Sequence, residues 1–276
     1  MNLDQIKKRL EQMNRPSSYS KDETKNLFWK PSIGKQVIRI VPSKFNSDMP
    51  FTEMKFYYGI GEKKTMASPT NWGKPDPIME FTKKLRQSND KENWRLAKKL
   101  DPKVRIFAPV IVRGEEHEGV KLWQFGKKIY ESFLQMAADE EIGDYTDILQ
   151  GRDIKLTTVG PEATGTRYNE TTISPSLKVS PLATTEEEIN RFKEEQVDPM
   201  KLFKPLEFEE MKQALQEWLS PEEEEDEISS EPEEPFDDEK GTISKSNYSL
   251  NQKAKPKSKS EQFEDLFSEE DNDLPF

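Results

Sequence analysis

VRIFAPVIVRG (104–114) and GVKLWQFG (119–126), joined by the acidic turn EEHE (115–118), decide how the middle of this chain is read. The first run is rich in Val and Ile. The second alternates Leu122 and Gln124 against Trp123 and Phe125. β-Branched and aromatic residues suit a pleated, half-buried surface, and two such runs joined by a short polar turn read as a hairpin. Working outward, KQVIRIVPSK (35–44) is a strand that stops at Pro42, and FTEMKFYYGIG (51–61) is an aromatic strand ending in glycines. RDIKLTTVG (152–160) and TISPSLKVSPL (172–182) supply later strands. Helical segments interrupt them at 78–87, 92–100 and 127–141. FEEMKQALQEWL (208–219) reads as a closing helix with Phe208, Met211, Leu215 and Trp218 along one face. The order predicts a mainly β fold with inserted helices, a small barrel carrying excursions.

The ends differ from this middle. Residues 3–14 read as a short basic helix, with Leu3, Ile6, Leu10 and Met13 on one stripe and Lys7, Lys8 and Arg9 beside it. A polar stretch follows. Beyond Pro221 the chain is acidic and rich in Ser and Pro, the composition of a disordered segment. Three parts are expected: an arm over 1–20, a core over 21–220 and a tail over 221–276.

Over the whole chain 32% of residues are hydrophobic and 34% charged, and the net charge is −11. Residues 221–276 hold 6 Lys against 19 Asp and Glu, a balance of −13, which leaves the rest at +2. The acidity is a property of the tail, so local basic clusters in the body carry the argument about partners. With no cysteine there is no disulfide and no Cys-based zinc site. No apolar run approaches a membrane span and the N-terminus lacks the apolar region of a signal peptide. A soluble, cytoplasmic protein is expected.

No catalytic constellation is visible. The one histidine, His117, lies in the polar turn and reads as solvated; there is no phosphate-binding loop and no glycine-rich dinucleotide motif. Aromatics interleaved with basic residues are the stronger signal. Phe56, Tyr57 and Tyr58 are consecutive, so at least one ring points away from a one-sided core. Phe107 neighbours Lys103 and Arg105; Trp123 precedes Lys127 and Lys128; Trp72 sits in the polar loop SPTNWGKPDP. Exposed rings flanked by cations stack unpaired bases and hold phosphates. The same surface would also serve an RNA-binding protein or a chaperone-like interaction protein.

VIRIVPSK (37–44), followed by FGKKIYESF (125–133), resembles paired signatures of the T-even-type phage single-stranded DNA-binding family. That resemblance implies an OB-type core, a basic N-terminal cooperativity arm and an acidic tail. It implies a sequence-nonspecific, cooperative protein of phage replication, recombination and repair that coats single-stranded DNA. RYNETTI (167–173) is similar to a third family segment and carries Tyr168 onto a DNA-contacting aromatic. Trp123 falls where the family has a DNA-contacting Tyr. Lys7, Lys8 and Arg9 resemble its cooperativity motif, without the Ser-Thr that follows in the family. The expected DNA-binding set is Arg39, Lys44, Lys127 and Lys128 for phosphates, with Tyr58, Trp72, Phe107, Trp123 and Tyr168 for bases. The family's zinc turn is replaced by Asp76-Pro77-Ile78-Met79, so no zinc or other cofactor is expected; packing by Ile78, Met79 and Phe81 would stand in for the metal.

The last residues, DNDLPF, resemble the acidic tip of bacterial single-stranded DNA-binding proteins. The resemblance implies capture of replication and recombination proteins by Asp273, Leu274, Pro275 and Phe276. Upstream, EQFEDLF places Phe263, Leu266 and Phe267 at helical spacing, as a second short anchor.

Overall fold

The computed structural model describes residues 26–88, 90–219 and 263. The arm over 1–20, its Lys7, Lys8 and Arg9, and the tip residues Asp273 to Phe276 lie outside them.

Eight strands form one mixed sheet: β1 (Phe28–Trp29), β2 (Gly34–Ile40), β3 (Thr52–Ile60), β4 (Lys63–Ala67), β5 (Lys103–Val112), β6 (Lys121–Phe125), β7 (Arg152–Val159) and β8 (Glu170–Val179). Their order is β1-β6-β5-β2-β7-β8, with β3 on β5 and β4 on β3. Only β1–β6 is parallel. The predicted hairpin is β5–β6, with Ile106 opposite Phe125 and Val110 opposite Lys121.

β5 changes partner along one edge. Thr52–Phe56 of β3 pair with residues 103–107, and Ile38–Ile40 of β2 pair with residues 110–112. Pro109 lies in the gap, its carbonyl accepting from Val41 N at 3.0 Å. A residue in an antiparallel ladder directs its N–H and C=O to one side. The donor that proline lacks would therefore face the interval where neither partner needs it, which is why a proline is tolerated inside this central strand.

Helices fill the excursions: α1 (Pro77–Gln87) and α2 (Lys91–Lys99) between β4 and β5, α3 (Lys127–Ala138) after β6, and α4 (Pro161–Thr164) before β8. After the sheet come α5 (Glu186–Glu194), α6 (Pro199–Leu202) and α7 (Phe208–Leu219). Asp76 caps α1, accepting from Ile78 N and Met79 N at 3.0 and 3.1 Å, with Pro77 in the first turn. The closing helix spans the residues expected for it. β1, β4 and α4–α6 are not among the expected elements: β1 has two residues and β4 is KKTMA, while α5 and α6 are marked in the sequence only by their caps, Thr185 and Asp198.

The strand alternation sorts side chains into separate cores. Ile106, Ala108, Trp123 and Phe125 point to one face and join Phe51, Tyr130 and Phe133, under α3. Met54, Phe56, Phe107 and Leu122 form a cluster on the other face, packed by Phe28, Met200, Leu202 and Phe203. Tyr57, Ile60 and Met66 turn from the β3–β4 hairpin into a third cluster with α1, α2 and α7. Gly61 (φ 61°) makes the hairpin turn against α7; a Cβ there would lie 2.9 Å from the Ala214 carbonyl oxygen.

Candidate nucleic-acid interface

On the face of β3, β5 and β6 that holds Phe107, the covering segments stop short. Phe107 stands opposite Gln124, and Met54 opposite Arg105, so Lys103, Arg105, Tyr58 and Gln124 continue the same face beyond the covered end. There the surface opens into a groove of about 780 Å³. Its lining includes Tyr58, Gln124, Tyr168, Asn169 and Thr171, with Lys30, Lys64, Lys103 and Arg105. No carboxylate belongs to that lining. Four cations and no anion in the lining itself favour a polyanion there.

Arg105 organises the trough. Its Nε donates to Tyr58 Oη at 3.1 Å, and the guanidinium carbon lies 5.4 Å from the Tyr58 ring centroid. One cation thus fixes a half-buried ring by a hydrogen bond and by attraction to its face. Gly126 lies beside it in the lining. Tyr168, about half exposed, brings a second ring from the segment between α4 and β8. Next to Gly126, α3 begins with Lys127 and Lys128, both largely exposed at the rim. Lys127 is 3.3 Å from Glu131, and Lys128 pairs with Glu170. Such surface pairs are weak enough for a phosphate to displace.

Other expected contacts sit elsewhere. Arg39 is fully buried in β2. Its Nη2 donates to the carbonyls of Asp147 at 2.7 Å and Ser180 at 2.9 Å, while Nη1 lies 3.6 Å from Asp153 Oδ1. Burial pulls its pKa down to about 10, against the opposing pull of Asp153. Arg39 is a structural cation that knits two loops to the sheet, not a phosphate ligand. Gly151 makes room for it, because a Cβ there would come within 2.3 Å of Nη2. Phe107 is likewise fully buried, and Trp123 is 1% exposed, edge-on to Trp29 at 5.6 Å. Both are corrected from stacking rings to core: parity along β5 and β6 turns Phe107 under the covering segments and Trp123 under α3, leaving only a margin of Trp123 at the groove. Lys44 pairs with Glu194 of α5, away from the lining. Trp72 is half-buried and packs on the cluster that also holds Tyr58. His117 is exposed in its turn.

Lys103 and Arg105 enter the sequence reading only as neighbours of Phe107, and Lys30, Lys64 and Gln124 are not among its expected contacts. The available signal was parity: Arg105 and Lys103 share the face of Phe107, and Gln124 alternates with Trp123.

The place of the zinc turn is occupied by a hydrogen-bonded carboxylate. Asp76 Oδ2 accepts from Tyr57 Oη at 2.9 Å and from Ser68 Oγ, while Oδ1 caps α1. Tyr57 is held protonated by burial and by Asp76. These groups do not fit a zinc ion, and among the described residues no three His, Asp or Glu side chains converge as metal ligands.

A groove with cations, tyrosines and no carboxylate in its lining, carried by a mixed sheet, has the make-up that suits a nucleic-acid strand. Residues 32–220 match the family described as gp32 DNA binding protein like, which spans more than half of the chain. The chain belongs to this family of single-stranded DNA-binding proteins. No curated protein matches it significantly. Among the described residues no helix is long and apolar enough to cross a membrane.

Proposed function

We propose that this protein coats single-stranded DNA cooperatively and without sequence preference in phage replication, recombination and repair, in the cytoplasm of the host cell. The observation that carries the reading is the Tyr58–Arg105 pair inside a trough that has four cations and no carboxylate. Bases stack on Tyr58 and Tyr168; Lys30, Lys64, Lys103, Arg105, Lys127 and Lys128 hold phosphates. Ring stacking tolerates every base, which supports nonspecific binding. The core is of OB type, without zinc, and its role is binding rather than catalysis. Lys7, Lys8 and Arg9 link neighbours along the strand, and Asp273, Leu274, Pro275 and Phe276 capture replication and recombination proteins.

The test is titration of the full chain with oligo-dT and oligo-U of equal length at several salt concentrations. Tight, salt-sensitive dT binding that falls sharply in Arg105→Ala supports the reading. Preference for oligo-U assigns the groove to RNA through the 2′-hydroxyl. Failure to bind either, in a folded protein, sinks it in favour of a protein-binding surface.

A further inference from the structure

Phe263 lies far beyond α7 and outside the 32–220 family match, yet it is only 3% exposed. It belongs to the buried cluster of Phe81, Leu85, Ala97, Met211 and Leu215, from α1, α2 and α7. Its ring centroid is 5.9 Å from that of Phe81, with the planes at 69°, an edge-to-face contact. Leu219, from which the chain departs, is part of the same cluster. Leu219 and Phe263, far apart in the sequence, therefore meet on one helical surface. Closure cost grows slowly with loop length, so a long loop does not forbid the contact.

Charge agrees with the apolar contact. Helices α1 and α2 carry seven basic residues against two acidic ones, including the exposed Lys83, Lys91 and Arg95. Residues 261–273 carry seven acidic residues and no basic one. The docking surface is separate from the groove: on β3, Tyr57 points into this cluster while the next residue, Tyr58, lines the groove.

We propose that the EQFEDLF segment is a latch, docking in cis through Phe263 into the cleft between α1, α2 and α7, with its acids against the basic helices. The latch occupies the segment until a partner with its own apolar, basic-rimmed cleft takes it. Partner capture through 261–267 then competes with an intramolecular site rather than with DNA.

The absence of native cysteine allows a direct test on the full chain. Spin labels at Gln87→Cys on α1 and Ser260→Cys in the tail report their separation, without DNA present. A short, narrow distance distribution that becomes long and broad in Phe263→Ala supports the latch. A distribution already broad in the parent, or unchanged by Phe263→Ala, overturns it. A signal lost on dilution with unlabelled protein also overturns it, because the occupant is then a neighbour's tail. In a second measurement a fluorescent peptide of residues 257–270 is added in trans. It should bind Phe263→Ala about tenfold or more tightly than the parent, whose own tethered segment competes at high effective concentration. Adding Arg95→Glu to Phe263→Ala should weaken that binding; equal binding to parent and Phe263→Ala overturns the proposal. Neither experiment depends on DNA, so either result leaves the proposed function to its own test.

Discussion

Tyr58 and Trp123 differ by one step of strand parity and by everything that follows from it. Tyr58 stands half-buried against Arg105 in the groove lining, whereas Trp123 is walled in by Trp29, Phe125 and Phe133. Replacing Tyr58 by Ala should cost about 1–3 kcal/mol of DNA binding, with thermal unfolding little changed. Trp123→Ala should instead cost on the order of 3–5 kcal/mol of folding stability through cavity formation. Urea unfolding and oligo-dT titration of the two variants check this; equal stability loss in both would place Tyr58 in the core as well. Arg39 follows the same logic. Its removal takes a buried donor from the Ser180 carbonyl and leaves the Asp147 carbonyl with Gly151 N alone. Arg39→Ala should therefore lower the unfolding midpoint, and DNA binding should fall only with the folded fraction. A folded variant with selectively reduced affinity would restore the phosphate role.

At the scale of elements, α3 is pinned to β3 by a hydrogen bond that titrates. Tyr130 Oη donates to Glu53 Oε1 at 2.8 Å, and burial with Glu53 pushes its pKa up to about 12. A phenol whose folded pKa is raised stabilises the fold fully below its ordinary pKa of about 10. That contribution is lost as pH rises through about 12. Tyr57 and Tyr145 are raised as well, by burial first, so alkaline loss of stability is shared among β3, α3 and the connection that follows α3. Tyr130→Phe should show a smaller fall in urea midpoint between pH 9 and pH 11 than the parent, from a slightly lower start. An unchanged pH dependence would mean that the phenol is solvated. The β3–β4 turn makes a second element-scale prediction. Gly61→Ala combines a positive φ with a clash on the α7 backbone. It should destabilise the fold by about 1–3 kcal/mol, read in the same unfolding assay, and should loosen α7 in hydrogen exchange.

For the whole molecule, charge is divided between body and tail. If Lys64 holds a phosphate, Lys64→Ala should make the slope of log affinity against log salt less negative by about 0.7, as expected for one single-strand contact. An unchanged slope would remove Lys64 from the DNA path. Removing residues 221–276 deletes a net −13 from a chain whose remainder is at +2. DNA binding should strengthen, most at low salt where the Debye length is longest. Truncation of only Pro275 and Phe276 should leave DNA affinity almost unchanged while abolishing capture through the tip, measured by pull-down with purified replication proteins.

Local pattern determined six of the eight strands, the closing helix and the hairpin at 104–126, because each period of 2 or 3.6 is written in consecutive side chains. Composition likewise determined that acidity belongs to the tail. Which face of each strand meets the groove was not written there, since alternation defines two faces without saying which one a distant segment covers. Phe28, Met200 and Phe203 bury Phe107 and stop before Arg105, and they come from both ends of the folded body. The burial of Arg39 depends in the same way on carbonyls 108 and 141 residues away. The docking of Phe263 needs three helices assembled first. Those decisions belong to the tertiary structure, because side chains remote in sequence supply the contacts that make one face a core and leave its continuation open.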